Sequence, residues 1–306
     1  MGRNKTKGYI CGIIAAITYG MNPLGALNLY AEGINPDSVL FYRYGLSVVI
    51  LAILMIFTRE TFRMNKKELG TTLFLGVIFA VSSLSLFNSF KHMDAGIACT
   101  ILFVYPVMVA VIMAVFFREK VNIVTILSII LALAGIALLY RGEGGGTLST
   151  VGVMLVLLSS LTYAVYIVVV NRSSINLSPV KLTFFVMLFG TATIVLHSLM
   201  RPANHLQLLT TPEMWGWALM LAVVPTVTSL ILMTIAVKEI GSTPTAIMGA
   251  LEPLTAVIIG VMVFNETFTP RLATGIVMIL IAVILIIAGK PLMEKVRRPK
   301  KKEAIH

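Results

Sequence analysis

Residues 91–119 read KHMDAGIACTILFVYPVMVAVIMAVFFRE, and residues 238–266 read KEIGSTPTAIMGALEPLTAVIIGVMVFNE. At an offset of 147 the two align without a gap: Lys91 falls on Lys238, Pro106 on Pro253, Phe117 on Phe264 and Glu119 on Glu266. Each stretch holds an apolar run long enough for one bilayer crossing, which takes about 20 residues. Each also places a proline in mid-run and a glutamate 13 residues later, just past the run's end. A proline inside a helix lacks the amide donor and crowds the carbonyl four residues back. Both copies therefore predict an interrupted helix, with the carbonyl of Leu102 or of Gly249 deprived of its helical partner. The weaker correspondence of Thr18-Tyr19 with Thr162-Tyr163, and of Pro36 with Pro179, extends the duplication to the rest of the chain.

The composition requires a lipid solvent. Of 306 residues 58% are hydrophobic and only 12% charged, with a mean hydropathy of +0.95. Soluble domains are about 25% charged. Ten apolar runs cover residues 8–30, 37–58, 69–90, 94–117, 121–140, 148–171, 179–200, 213–235, 241–264 and 270–289. These are spans 1 to 10. They must be helical, because an unpaired backbone is too costly in hydrocarbon. The basic start Arg3, Lys5, Lys7 and the run after it resemble a signal peptide, but no small-residue cleavage site follows, so the run reads as a retained first span. Breakers mark the connections. Asn35-Pro36 opens span 2, Thr211-Pro212 span 8 and Thr269-Pro270 span 10, while Gly142-Glu143-Gly144-Gly145-Gly146 reads as the most flexible stretch and falls at the midpoint. In the last two of these starts the Thr suits the N-cap and the Pro the first helical position.

Basic residues distribute unevenly across the ends of these spans. With the N-terminus cytoplasmic, 19 of the 24 Lys and Arg fall on the cytoplasmic side and four, Lys91, Arg141, Arg201 and Arg271, on the outer side. The remaining one, Arg43, lies within span 2. This bias is the positive-inside pattern of a multi-pass protein with both termini in the cytoplasm, and it accounts for the +11 charge without nucleic acid. The fold expected is all-α and polytopic: ten transmembrane helices in two five-helix repeats, residues 1–141 and 148–289, followed by a basic tail, 290–306. Five is odd, so the second repeat runs inverted in the membrane. Inverted repeats around a midplane site are a recurring transporter design, because one repeat can rock against the other.

Ten spans in two inverted sets of five, with Pro106…Arg118-Glu119, Leu251-Glu252-Pro253…Asn265-Glu266 and Arg43 early in span 2, resemble the EamA family of the drug/metabolite transporter superfamily. The resemblance covers about residues 8–289. It implies a carrier in a bacterial-type inner membrane, usually an exporter of amino acids or other small metabolites. The first copy departs from the second in having Tyr105 where the second has Glu252, so the carboxylate is not duplicated.

Polar groups inside a span are costly and therefore candidates for function. Glu252 lies midway along span 9, beside Pro253; it either exchanges a proton with each side or stays ionised against a cation, Arg43 or an amine of the solute. Arg43 lies five residues, roughly 8 Å, from the outer end of span 2. It can snorkel outward or reach inward to a carboxylate. Tyr19, Asn22, Asn88, Tyr105, Tyr163 and Tyr166 are further candidates to line a path, with Pro106 and Pro253 as the paired helix breaks. Ser82, Ser85 and Ser89 share one helix face with packing or a cavity wall as alternatives. Spans 1, 3, 4, 6, 8 and 9 carry these groups and are expected around a midplane cavity, with the apolar spans 5 and 10 at the periphery. Glu119 and Glu266 read as carboxylates favourable at the starts of spans 5 and 10. Cys11 and Cys99 read as inert thiols, the histidines as without chemistry, and Gly8…Gly12 as a helix-packing pair.

The expected partners are a small-molecule substrate, the bilayer and, as a candidate coupling ion, the proton; no cofactor is implied. A channel would usually show rings of repeated charge or carbonyl filters, and a membrane enzyme a cluster of nucleophile, base or metal ligands. Neither pattern is evident, which leaves both as the alternatives to a carrier.

Overall fold

The computed structural model describes residues 5–118, 123–140, 148–173, 177–201, 205–241, 245 and 248–297. Glu119, the stretch 142–146 and the last part of the tail lie outside the described residues. Among those described, every regular element is helical: α1 Lys5–Gly20, α2 Asn22–Ala31, α3 Pro36–Phe57, α4 Lys66–Ser89, α5 Ala95–Leu102, α6 Tyr105–Phe117, α7 Ile123–Tyr140, α8 Thr150–Arg172, α9 Pro179–Met200, α10 Pro212–Ala222, a π-helical turn Val223–Thr228, α11 Ser229–Ile240, α12 Leu251–Phe264 and α13 Pro270–Arg297.

Among the described residues, seven helical stretches are long and apolar enough to cross a membrane: Lys5–Ala31, Pro36–Phe57, Lys66–Ser89, Ala95–Phe117, Thr150–Arg172, Pro179–Met200 and Pro212–Ile240. Three shorter apolar helices, Ile123–Leu139, Leu251–Phe264 and Pro270–Leu285, complete the set. Phe116, Leu199 and Met262 are 76%, 76% and 78% exposed on the outer faces. Side chains of that size lie open only against hydrocarbon in such number, while Arg43, Ser82, Ser159 and Thr226 are buried within.

The local chemistry explains the boundaries. The side chain of Asn35 accepts the Ser38 amide at 2.8 Å ahead of Pro36, and Thr211 accepts the Met214 amide at 3.2 Å ahead of Pro212. Asn65 and Glu68 form a reciprocal capping box at the start of α4. At their ends α6 and α12 stop alike, on Arg118 (φ 52°) and Asn265 (φ 54°), both left-handed and 147 residues apart.

Three of the apolar runs are not continuous helices. Span 1 breaks at Met21, between α1 and α2, just ahead of Pro23. Span 4 breaks at Phe103–Val104, between α5 and α6, and span 9 turns at Gly249–Ala250 before α12 begins. The two freed carbonyls behave differently. That of Leu102 accepts the Ser160 hydroxyl of α8 at 3.1 Å. That of Gly249 is not left open as the sequence suggested: the Glu252 amide donates to it at 3.0 Å in a tighter turn.

The helices pack as pairs: α1 against α11, α4 against α8, α3 against α9, α5 against α12, α6 against α8, α1 against α12, and α7 against α13. A side chain at Gly8 would collide with Ile240 of α11, and one at Gly12 with the side chain of Met248. Gly135 and Gly275 likewise leave no room for a side chain where α7 meets α13. Glu266 supplies a correction. Its carboxylate accepts the amides of Ala95 at 2.7 Å and Gly96 at 3.1 Å, and so caps α5 rather than the start of span 10. Gly96 and Gly260 are the small residues that let it in.

Candidate functional site

The helix breaks meet at one cavity with about 630 Å³ of empty space. The α1–α2 break contributes Tyr19, Gly20 and Asn22, the α5–α6 break Phe103 and Tyr105, and the start of α12 Glu252 and Pro253; Arg43, Ser82, Ser83 and Tyr163 also line it. Gly20 abuts the backbone carbonyl of Glu252, so two breaks are locked against each other.

The carboxyl of Glu252 accepts no hydrogen bond and forms no ion pair among the described residues. Arg43 is 2% exposed and does not snorkel. It also fails to reach a carboxylate; its Nε donates to the Thr226 hydroxyl at 3.0 Å. Its guanidinium carbon stands 5.8 Å from the centre of the Tyr44 ring and 5.6 Å from that of Phe87. Tyr19 lies within electrostatic reach of both Arg43 and Glu252. Asn22 donates through Nδ2 to the Tyr19 carbonyl at 2.7 Å, while its buried Oδ1 accepts nothing among the described residues.

Aromatic rings form the facing wall. Tyr105 and Tyr163 meet edge to face at 4.7 Å, Tyr163 stacks on Tyr166 at 5.9 Å, and Phe79 lies 5.2 Å from Tyr166. Ser82 donates to the Ser159 carbonyl at 2.9 Å, fastening α4 to α8. Asn88 is not part of the cavity wall: it turns back to the Leu84 carbonyl at 2.7 Å. The apolar helices α7 and α13 do not line the cavity.

A second cavity, of about 420 Å³, shares Tyr19, Arg43, Phe79 and Tyr163 with the first and adds Tyr166, Thr183, Thr226 and Leu230. A third, of about 750 Å³, shares Thr183 and Leu230 with the second and runs to Glu60, Ser178 and Lys238 at one end of the bundle. The opposite end is closed by hydrogen bonds. Gln207 takes the Asn35 amide at 2.6 Å, gives its own amide to Ser38 Oγ at 2.8 Å, and donates through Nε2 to the Gly33 carbonyl at 3.1 Å. Beside it, His197 Nδ1 and Asp37 Oδ2 are 2.6 Å apart.

Sequence reasoning missed this closure, since it assigned the histidines no role. It also missed Phe79 and Thr226. The available signals were Pro225, a third proline in mid-span, and Asp37, an acid placed just inside span 2. Among the described residues no three His, Cys, Asp or Glu side chains group as metal ligands.

Known proteins resemble this chain along nearly its whole length. An uncharacterized transporter of Archaeoglobus fulgidus is 27% identical over 275 residues, covering 89% of this chain and 94% of its own. The uncharacterized transporter YcbK of Bacillus subtilis is 25% identical over 275 residues, 86% of this chain and 87% of its own. A protein of known crystal structure superposes with a TM-score of 0.66 at 14% identity, over 96% of this chain and 99% of the other, a likeness of fold. Residues 6–141 and 150–288 each match the EamA-like transporter family. With helices that suit a bilayer and two family matches that between them take in both halves, the chain belongs to the EamA-like transporter family and is a multi-pass membrane transporter.

Proposed function

We propose that the chain is a secondary carrier that moves a small amino-acid-like solute out of the cell by alternating access, with Glu252 and Arg43 as the charged elements of its site. One observation carries this reading: a carboxyl and a guanidinium line the same central cavity without neutralising each other. Unpaired charge away from water is expensive, and a solute bearing both an ammonium and a carboxylate satisfies both groups. The tyrosine wall of Tyr105, Tyr163 and Tyr166 suits the ammonium end through its ring faces. Asn22 Oδ1 adds an uncommitted acceptor.

The carrier mechanism rests on the inverted repeat. It is supported by the matching left-handed stops at Arg118 and Asn265, and by the packing pairs. Exchanging spans 1 to 5 for spans 6 to 10 turns α1–α11 into α8–α4 and α1–α12 into α8–α6. It leaves α3–α9, α5–α12 and α7–α13 paired with themselves. The charge bias supports both termini in the cytoplasm, and the family resemblance supports a bacterial-type inner membrane. The chain of cavities then opens inward, past Thr183 toward Lys238, and the Gln207 closure seals the outer end. Protons are the coupling ion if Glu252 exchanges one with each side.

Flux in proteoliposomes tests the reading. Radiolabelled L-amino acids should move at a saturating rate, most of which Arg43→Gln and Glu252→Gln each remove. A non-saturating rate, as of a channel, or no flux of any amino acid, would overturn it. Comparing the metabolites of cells with and without the protein then identifies the solute.

A further inference from the structure

Pro225 sits in the middle of span 8 and has no amide hydrogen, so the carbonyl of Leu221, four residues back, loses its helical donor. The helix responds by widening into the π-turn Val223–Thr228. Such turns concentrate at functional sites. The Leu221 carbonyl is satisfied from the side: the Thr226 hydroxyl donates to it at 2.9 Å. A hydroxyl has one hydrogen. With that hydrogen committed to Leu221, Thr226 Oγ1 can act toward Arg43 only as an acceptor, and it takes the Nε–H at 3.0 Å. Thr226 is 1% exposed and Arg43 2%, so the bond is shielded from competing solvent.

The same turn holds the backbone below. Ser47 donates to the Arg43 carbonyl at 2.7 Å and lies 3.3 Å from the carbonyl of Ala222, which immediately precedes the π-turn. The guanidinium is thus fixed at its stem by span 2 and at Nε by span 8. A guanidinium is a planar fork. With Nε held by Thr226 and Tyr19 within hydrogen-bonding reach of the guanidinium, the N–H donors that remain face the cavities and can grip a planar anion. No carboxylate of the described residues fills that role. Arg43 lines the central cavity and also the second one, to which Thr226 and Pro225 belong.

We propose that Thr226, set by the Pro225 break, is the positioning residue that turns Arg43 edge-on to the carboxylate of the transported solute. This rests on the reading of Arg43 as substrate-binding. Thr226 therefore selects carboxylate-bearing solutes without touching them.

The test compares the parent, Thr226→Val and Thr226→Ser in proteoliposomes. The probes are a radiolabelled mixture of L-amino acids and, separately, the amines obtained by decarboxylating them. Valine keeps the shape and removes the acceptor. It should raise the half-saturating concentration for amino acids about tenfold, near the loss of one charge-assisted hydrogen bond. The maximal rate and the flux of the amines should change little, and serine should restore the parent value. If the valine chain does not reach the membrane, Thr226→Cys replaces it, and its weaker acceptor should still raise the half-saturating concentration. Parent-like saturation in the valine or cysteine chain, alongside loss in Arg43→Gln, overturns the positioning role. So does an equal loss for amino acids and amines, which marks a purely structural threonine. An Arg43→Gln chain with parent saturation instead refutes the underlying reading of the site.

Discussion

Arg43 and Glu252 line one buried cavity, on α3 and α12, without forming an ion pair; the arginine is held instead by Thr226, and the carboxyl has no partner among the described residues. A carboxyl and a guanidinium in a largely apolar interior ordinarily pair, since leaving a buried charge alone costs several kcal/mol in order of magnitude. Tyr19 and the α1–α2 break stand in the same wall, and Gly20 fastens that break to the backbone of Glu252. Held apart in this way, a guanidinium and a carboxyl stand in one cavity for a solute to answer.

The closed end of the bundle should have to open in every cycle. Asp37 and His197 join α3 to α9 there. With Cys11 and Cys99 replaced by serine, cysteines at positions 37 and 197 should form a disulfide under mild oxidation and stop transport. A reductant should restore it. Undiminished flux through the fully cross-linked chain would show that this end does not gate.

Glu266 should act on stability more than on rate. Glutamine at this position keeps one acceptor for the Ala95 and Gly96 amides and sets its own NH₂ against the other. Burial raises the Glu266 carboxyl above its ordinary range; the Ala95 and Gly96 amides oppose that rise, and Asp94 adds to it. A carboxyl that binds its proton more tightly when folded favours the fold most below its unfolded pKa, about 4.3 for Glu. That contribution is lost as pH rises through the folded value. The melting-temperature advantage of the parent over Glu266→Gln should therefore be larger near about pH 4 than near about pH 7. An advantage that grows with pH would contradict this.

Topology follows from the charge bias alone and can be checked separately. On the same cysteine-free background, a cysteine at Asn65 should react with a membrane-impermeant thiol reagent only in inverted vesicles. A cysteine at Gly145 should react only in intact cells. Labelling of position 65 from outside would overturn the orientation, and with it the inward-opening direction of the cavities.

Much of the architecture was legible because it rests on local chemistry. Asn35-Pro36 and Thr211-Pro212 start helices by their own side chains, and Pro106 and Pro253 announce breaks wherever the rest of the chain lies. The meeting of Tyr19, Tyr105, Tyr163, Arg43 and Glu252 could be suspected, since each is a costly group in an apolar run. What was not legible depends on which partner lies across the bundle. Sequence showed that Leu102 and Gly249 lose a donor, but not that Ser160 would serve one and the Glu252 amide the other. It placed Glu266 beside span 10, the nearest helix start in sequence, whereas the nearest in space is α5. Asn88 looked polar enough for a cavity wall, yet its own helix absorbs its amide.

The central claim is that Glu252 meets the solute or the coupling proton. It is tested most directly by amino-acid flux through reconstituted Glu252→Gln, measured beside the parent over a range of pH. The variant keeps the shape of the side chain and removes its charge. It should reach the membrane with the parent's melting profile and lose most of its transport, by at least about tenfold if a single charged contact is removed. Transport at the parent rate with an unchanged pH dependence would reduce Glu252 to part of the helix break and move the site to the tyrosines of α1, α6 and α8.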